Sequence, residues 1–216
     1  MPPPSVMFAR LVEIVRSGPF VTDLVVTGAT VATAFGLGGL VGLMIGILFW
    51  RFPFSGAVFE PYLVSMYSMP TIVFYPILLA VFGLGTKPIM IIASTMALIP
   101  VALNTMVALR AIPPTLPKLA RSLNCTRLQT YRKVLAPAAV PMVVPGLVLG
   151  FIYAVIGTIA MEFILASRGL GYRTGFFYRS FEIADMYAYI LVISIVAIIV
   201  NVGLNYFERR IRRDMQ

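Results

Sequence analysis

The chain has 216 residues, of which 60% are hydrophobic and 12% are charged, and its mean hydropathy is +0.95. No soluble domain needs so much apolar surface, so the composition predicts a polytopic membrane protein. The formal net charge of +9 would also suit nucleic-acid binding. Charges that orient membrane helices account for it more simply, and we predict no nucleic-acid partner.

Charged residues divide the chain into five long uncharged runs, which are 24–50, 61–86, 88–109, 134–161 and 186–207. Each run exceeds the roughly 20 residues that a helix needs to cross the hydrocarbon core. The sequence therefore predicts an all-α fold with five transmembrane helices. We expect an extracytoplasmic segment at 1–23 and a basic cytoplasmic tail at 209–216.

The first run carries Gly38, Gly42 and Gly46 at four-residue spacing. Glycines at this spacing form a flat stripe on one helix face, which lets a second helix approach closely. The glycines predict tight packing of the first span against a neighbour, although glycine is also simply common in membrane helices.

The second run is interrupted by helix breakers, namely Pro61, Pro70, Pro76, Gly83 and Gly85. These residues predict a broken helix rather than a straight one. Non-helical backbone at membrane depth is tolerated only where protein or an aqueous cavity satisfies it. The second run is therefore a candidate element of a solute path.

Few polar side chains lie inside the runs. Asn104 and Thr105 in the third run either bond a neighbouring helix or contact a solute, and the first interpretation is the commoner one. Of the eight acidic residues, only Glu162 is expected to border a hydrophobic interior. Glu162 could line a solute path, sit solvated at a helix end or accept structural hydrogen bonds.

A basic amphipathic segment, 110–137, separates the third run from the fourth. Its first half predicts a short helix that Thr115 caps, with Leu116, Leu119 and Leu123 on one face. Asn124 follows, and asparagine is the commonest residue after glycine to accept the left-handed conformation that ends a helix.

The second half of this segment predicts another short helix. Thr126 and Gln129 have the spacing of a capping box, and Leu128, Tyr131 and Leu135 form an apolar stripe. A capped hairpin with an apolar face between membrane spans predicts docking on a separate partner. Such a hairpin favours a transporter subunit over an autonomous membrane enzyme.

The distribution of lysine and arginine predicts the orientation of the spans. With the hairpin inside, the inner segments carry eleven cations, which are Arg51, Arg110, Lys118, Arg121, Arg127, Arg132, Lys133, Arg209, Arg210, Arg212 and Arg213. The outer segments carry six, which are Arg10, Arg16, Lys87, Arg168, Arg173 and Arg179. This bias places the N-terminus and a long loop at 163–185 outside.

Residues for catalysis and metal binding are scarce. Histidine is absent and Cys125 is the single cysteine, which excludes histidine-based catalysis and cysteine clusters for metal. The glycines before Lys87 lack the spacing of a phosphate-binding loop. We therefore predict no catalytic residue, metal site or cofactor on this chain, and any ATPase that powers transport must be another chain.

At the hairpin the sequence resembles the EAA loop of binding-protein-dependent ABC importer permeases, in which E-A-A is followed by G and then by I-x-L-P. The matching residues are Lys118-Leu119-Ala120, Asn124 and Val134-Leu135-Ala136-Pro137. Flanking segments resemble the nitrate, sulfonate, taurine and thiamine-precursor branch, and these are Leu103-Asn104-Thr105, 110–114, Glu162-Phe163 and 169–172.

This resemblance implies a permease domain at 24–208 in a multi-pass protein of the bacterial inner membrane, surrounded by lipid. The implied partners are a second permease subunit, identical or different, two cytosolic ATPases that carry ATP and Mg²⁺, and an extracytoplasmic solute-binding protein. The implied ATPase-coupling residues are Lys118, Leu119, Ala120, Leu123, Asn124, Leu128 and Pro137. Ala120 is expected on the face that presses into the ATPase, and Asn104 and Glu162 are the candidates for the solute path.

The chain departs from the family pattern at several positions. Lys118 replaces the glutamate that would complete a capping box with Thr115, and Asn124 replaces the glycine. The start at 2–5 resembles the segment after the family's first helix, so we expect a five-helix core without that helix. Outer arginines weakly favour an anionic solute. The main alternative is a secondary transporter or channel, which would need ionisable residues inside the membrane.

Overall fold

The computed structural model describes residues 3–16 and 18–213, which form helices joined by short turns, with no strand among them. The helices are α1 Pro4–Arg16, α2 Gly18–Arg51, α3 Pro53–Ser68, α4 Tyr75–Phe82, α5 Thr86–Arg110, α6 Thr115–Ser122, α7 Arg127–Gln129, α8 Ala136–Leu165, α9 Leu170–Arg179 and α10 Ile183–Arg213. A 3₁₀ turn, Thr71–Phe74, precedes α4, and a π-helical turn, Thr130–Leu135, joins α7 to α8. The all-α prediction is confirmed.

Among the described residues, the helices α2, α5, α8 and α10 are long and apolar enough to cross a membrane. A fifth candidate is the pair formed by α3 with the segment Thr71–Phe82, which meet at 89°, if this pair is counted as one span. The predicted break in the second run is confirmed, and the number of candidate spans is four to five.

The break in the second span lies at Met69 and Pro70. Met69 has extended backbone, with φ −79° and ψ 136°, because the ring of a following proline disfavours the helical conformation. At the other end of this span, Gly83 ends α4 with a φ of +73°. Pro70 and Gly83 therefore interrupt this span as predicted, whereas Pro61 lies inside α3 without breaking it.

The centre of the bundle is the packing of α5 against α2 and α8. A Cβ atom at Gly42 would lie 2.6 Å from the carbonyl oxygen of Leu98, and one at Gly46 would lie 2.7 Å from that of Ala102. The predicted close approach of the first span is confirmed, with α5 as its neighbour. A second glycine set on α8, which includes Gly146, Gly150 and Gly157, also packs closely against α5.

The two ends of the bundle carry different segments. At the hairpin end, the ring of Trp50 in α2 contacts Tyr131 edge-on at 6.3 Å, and Arg110 pairs with Glu60 at 3.0 Å. At the opposite end, which we call the far end, α1 and α9 pack against the start of α10 through Ile14, Leu170 and Tyr189 among others. The segments predicted to be inside and outside are thus at opposite ends.

The segments predicted at the two termini contain helix. Residues 4–16 form α1, and α2 begins at Gly18 rather than at 24, so that Asp23 lies within a helix. The expected tail at 209–216 continues α10 as far as Arg213. Residues 1, 2, 17 and 214–216 lie outside the described residues. The expected outer loop at 163–185 contains the helix α9.

Candidate coupling hairpin and solute path

The first helix of the hairpin, α6, begins differently from the prediction. Its N-cap residue is Pro114, which has nearly helical backbone and no capping side chain, and Thr115 is the first helical residue. Since the helix starts one residue earlier than a Thr115 cap requires, Lys118 is the fourth helical residue and not the third. A glutamate there could not complete a capping box with Thr115.

The end of α6 is as predicted. Asn124 has a φ of +51°, and its N–H donates to the carbonyl of Arg121 at 3.0 Å. The N–H of Cys125 donates to the carbonyl of Ala120, also at 3.0 Å. These two bonds form a Schellman motif, which satisfies the last carbonyls of the helix.

The start of α7 is also as predicted. The N–H of Gln129 donates to Oγ1 of Thr126 at 3.3 Å, and the N–H of Thr126 donates to Oε1 of Gln129 at 2.9 Å. This reciprocal pair is a capping box. The turn between the two helices is therefore held by bonds from its own residues.

The second half of the hairpin is not a separate helix. It passes through the π-helical turn Thr130–Leu135 directly into α8. Pro137 lies at this junction, where it has no N–H to donate and its ring would collide with the carbonyl of Lys133 in a regular helix. A wider turn removes that collision. Pro137 thus marks where the hairpin joins the membrane span.

Three leucines form an exposed apolar surface on the hairpin. Leu119, Leu123 and Leu128 are 55%, 67% and 65% exposed, and we call them the leucine surface. Ala120 is only 1% exposed, because α6 packs this side against the π-helical turn. The prediction that Ala120 lies on the contact face is therefore wrong, since it is buried inside the hairpin itself.

The structure places Asn104 at the crossing of α5 and α8. Its side-chain amide donates to the carbonyl of Pro100 in the same helix at 2.8 Å, and Gly146 packs closely against its Cβ atom. Thr105 is buried against Gly46, and its hydroxyl has no hydrogen-bond partner among the described residues. The predicted hydrogen bonds between helices are thus not found for these two side chains.

Glu162 lies at the far end and is 2% exposed. Its Oε2 atom accepts a hydrogen bond from the hydroxyl of Thr27 at 2.8 Å and one from the N–H of Gly171 at 3.1 Å. The N–H of Leu170 donates to the Thr27 hydroxyl at 2.9 Å. Of the three alternatives, the structure supports the structural acceptor, because the carboxylate satisfies the first turn of α9 and is out of reach of a solute here.

Sequence reasoning missed a second buried acid, Asp23, which is 3% exposed. Its Oδ1 atom accepts a hydrogen bond from the N–H of Gly169 at 3.0 Å, and its Oδ2 atom lies 2.5 Å from Nε of Arg173. The expectation that only Glu162 borders the interior is therefore wrong. The sequence feature that could have identified Asp23 was Thr27, which lies one helical turn later and places a second polar group on the same helix face.

These groups form one structure, which we call the far-end network and which consists of Asp23, Thr27, Glu162, 169–171 and Arg173. It joins α2, α8 and α9. Gly169 is required at its centre, because its φ is +111° and a Cβ atom would lie 2.5 Å from Oε2 of Glu162. The network holds the turn before α9 against the bundle.

The helical bundle with a bent second run and a folded hairpin at one end has a known counterpart. The fold is similar to that of a solved inward-facing MetNI methionine ABC transporter, with a TM-score of 0.76 and 21% identity over 90% of this chain and 99% of that chain.

Residues 38–213 match the family described as binding-protein-dependent transport system inner membrane component, and the chain belongs to this family of ABC importer permeases. It is 24% identical to the taurine transport system permease protein TauC of Escherichia coli, over 98% of this chain and 78% of that protein. It is 25% identical to the nitrate import permease protein NrtB of Leptolyngbya laminosa, over 86% of this chain and 67% of that protein.

Proposed function

We propose that this permease forms the translocation path for a small anionic solute and is driven by a separate cytosolic ATPase that docks on the leucine surface. The main support for this proposal is the exposure of Leu119, Leu123 and Leu128 on a folded hairpin. Apolar side chains clustered beside exposed cations, rather than in the lipid-facing spans, mark a protein contact.

The stiffness of the hairpin supports this role. The Schellman motif at Asn124 and the capping box at Thr126 hold the turn, and Tyr131 packs against Trp50 of α2. The second half of the hairpin continues into α8 without a loop. A rigid element of this kind transmits a displacement of the ATPase to the membrane helices, which a flexible loop would not do.

The similarity to TauC and NrtB supports a small anion as solute, because taurine and nitrate both carry a negatively charged oxygen group. The remaining proposed partners are a second permease subunit, identical or different, and an extracytoplasmic solute-binding protein. The hairpin end faces the cytoplasm and the far end faces outward in the bacterial inner membrane. ATP and Mg²⁺ belong to the ATPase.

A secondary transporter or channel is the alternative function. Ion coupling would require ionisable side chains that can exchange ions or protons with the solute path. The two buried carboxylates, Asp23 and Glu162, are instead engaged by backbone N–H groups, Thr27 and Arg173. This engagement favours the ATP-driven mechanism.

The test is Leu123→Asp, measured by capture of the partner ATPase and by ATP-dependent uptake in proteoliposomes. A charge at the centre of an apolar contact should lower ATPase binding at least tenfold, with normal insertion into the membrane. Leu84→Asp is the control, because Leu84 is also largely exposed, at 81%, but lies between α4 and α5 at the far end. Full ATPase binding and uptake by Leu123→Asp would contradict the proposal and favour the secondary transporter.

A further inference from the structure

Two tyrosines from different candidate spans, Tyr67 and Tyr153, contact each other. Tyr67 lies in the last turn of α3, just before the break, and its hydroxyl is hydrogen-bonded to that of Tyr153 in α8. The two rings are tilted, with centroids 5.3 Å apart. Tyr67 nevertheless remains 44% exposed, so the pair is at a surface and not in the core of the bundle.

The depth of this pair follows from the packing of α8 on α5. Gly150 packs against Ala97 and Val101, and Gly157 packs against Ala93 and Met96. Tyr153 lies between these two glycines and is therefore level with the middle of α5. The pair is therefore level with the middle of the two uncharged runs 88–109 and 134–161.

The pair also identifies one side of the bundle. Tyr153 is three residues after Gly150 and four before Gly157, so it lies on the side of α8 that faces α5 and the broken span. Ile152 and Ile159 point away from that side and line an apolar cleft toward α10. The hydroxyls thus face the span whose backbone is interrupted.

A cleft of about 270 Å³ lies under the bend of the broken span. Its lining includes Met66 and Met69 beside Tyr67, together with Thr71 and Thr95. Because Thr95 and the other α5 residues of the lining precede Ala97 in the chain, the cleft lies on the far-end side of the tyrosine pair. Most of its lining is apolar, with Thr71 and Thr95 as the hydroxyl-bearing residues, and the cleft lies next to the tyrosine pair without containing it.

The chemistry of the pair suits a transient anion contact. A hydroxyl has one proton to donate, so one tyrosine donates to the other and the second proton is free for another acceptor. A half-exposed hydroxyl pair beside interrupted backbone would be costly against lipid and is tolerated beside an aqueous path. Neutral donors can bind an anion without the strong pairing that an arginine would impose.

We propose that Tyr67 and Tyr153 are the solute-contacting residues at the middle of the translocation path. In this conformation the two hydroxyls are bonded to each other, and the remaining hydroxyl proton is free to donate to an oxygen atom of the anion. This inference rests on the proposed function and adds a specific contact to it.

The first experiment uses Tyr67→Phe and Tyr153→Phe in the complete transporter, reconstituted with its ATPase and binding protein. Taurine and nitrate are the test solutes, and both uptake and ATP hydrolysis are measured at saturating solute. We expect each variant to lower the amount of anion taken up per ATP hydrolysed at least fivefold. Tyr62→Phe is the control, because it removes a hydroxyl from the same helix, where its ring packs on Phe59.

A ratio within twofold of the unmodified transporter, or an equal loss of uptake and hydrolysis, would overturn the solute contact and leave the proposed function intact. If the unmodified transporter takes up neither of the two test solutes, the proposed solute class is wrong, and the proposed contact between the tyrosines and the solute is wrong as well.

The second experiment tests the position of the pair without any solute. On a Cys125→Ser background, Tyr67→Cys should react with a negatively charged, membrane-impermeant methanethiosulfonate during ATP turnover. Leu37→Cys is the control, because Leu37 is exposed on α2 at a similar depth, just before Gly38, which packs against Ser94 and Ala97. Equal lack of reaction at both positions would overturn the placement of the pair on the path.

Discussion

The two ends of this permease are stabilised by different kinds of hydrogen bond. At the hairpin end, the bonds that shape the turn join residues three to five positions apart, as in Thr126 with Gln129 and Cys125 with Ala120. At the far end, Thr27 bonds Glu162 across 135 positions, and Asp23 bonds Arg173 across 150. The hairpin is shaped locally, whereas the far end exists only when three helices have assembled.

This difference has a functional consequence. The hairpin leaves apolar side chains exposed on a stiff turn, so changes there should alter binding to a partner more than the stability of the bundle. The far-end network is buried and charged, so changes there should alter stability first. The following predictions test that contrast.

The largest effect is expected for Asp23→Ala. It leaves the N–H of Gly169 and the partly buried guanidinium of Arg173 without their acceptor, which should cost about 3 kcal/mol of stability. Thermal unfolding of the purified protein in detergent measures this loss. Glu13→Ala is the matched control, because Glu13 pairs with Arg10 at an exposed site and should change stability by less than about 0.5 kcal/mol. Equal effects of the two variants would refute the structural importance of the network.

An intermediate effect is expected for Asn124→Val. A β-branched residue resists the left-handed conformation that Asn124 adopts, at a cost of about 1–2 kcal/mol within the hairpin, so ATPase binding should fall about tenfold. Titration of the ATPase onto the purified permease measures this change. Asn124→Gly should bind as well as the native protein, since glycine adopts this conformation freely. A large drop in the unfolding temperature of the whole permease with Asn124→Val would contradict the prediction that changes in the hairpin alter partner binding more than stability.

The smallest effect is expected for Lys118→Glu. Because Thr115 does not cap α6, the change removes an unfavourable charge near the positive end of the helix and gains at most about 0.5 kcal/mol. ATPase binding, measured by the same titration, should stay within threefold of the native value. A tenfold loss would show instead that Lys118 pairs directly with an acidic group of the ATPase.

Ala120→Asp, by contrast, does not test the docking surface. Ala120 is buried between α6 and the π-helical turn, so a charge there would disrupt the hairpin itself. Loss of ATPase binding by this variant would follow from either cause, whereas exposed Leu123 separates them.

The sequence by itself determined the features that depend on near neighbours. The uncharged runs predicted five spans because a helix needs roughly 20 apolar residues to cross the hydrocarbon core. Pro70 predicted the break, Asn124 the end of α6 and Thr126 the start of α7, because each acts on backbone within a few residues. The glycine stripe of α2 predicted a close neighbour but not that the neighbour is α5.

Only the tertiary structure decided which groups meet across the chain. From the sequence, Asp23 was interpreted as a charge at the end of a span. It is buried because its carboxylate pairs with Arg173 of α9 and accepts a hydrogen bond from the N–H of Gly169 in the turn before α9. From the sequence, Ala120 was predicted to lie on the face that contacts the ATPase, but the π-helical turn covers it. Tyr67 and Tyr153 carry no signal in their own segments. Burial and pairing of this kind depend on side chains and backbone groups that are distant in the sequence. Local sequence patterns do not show which of these groups will be in contact.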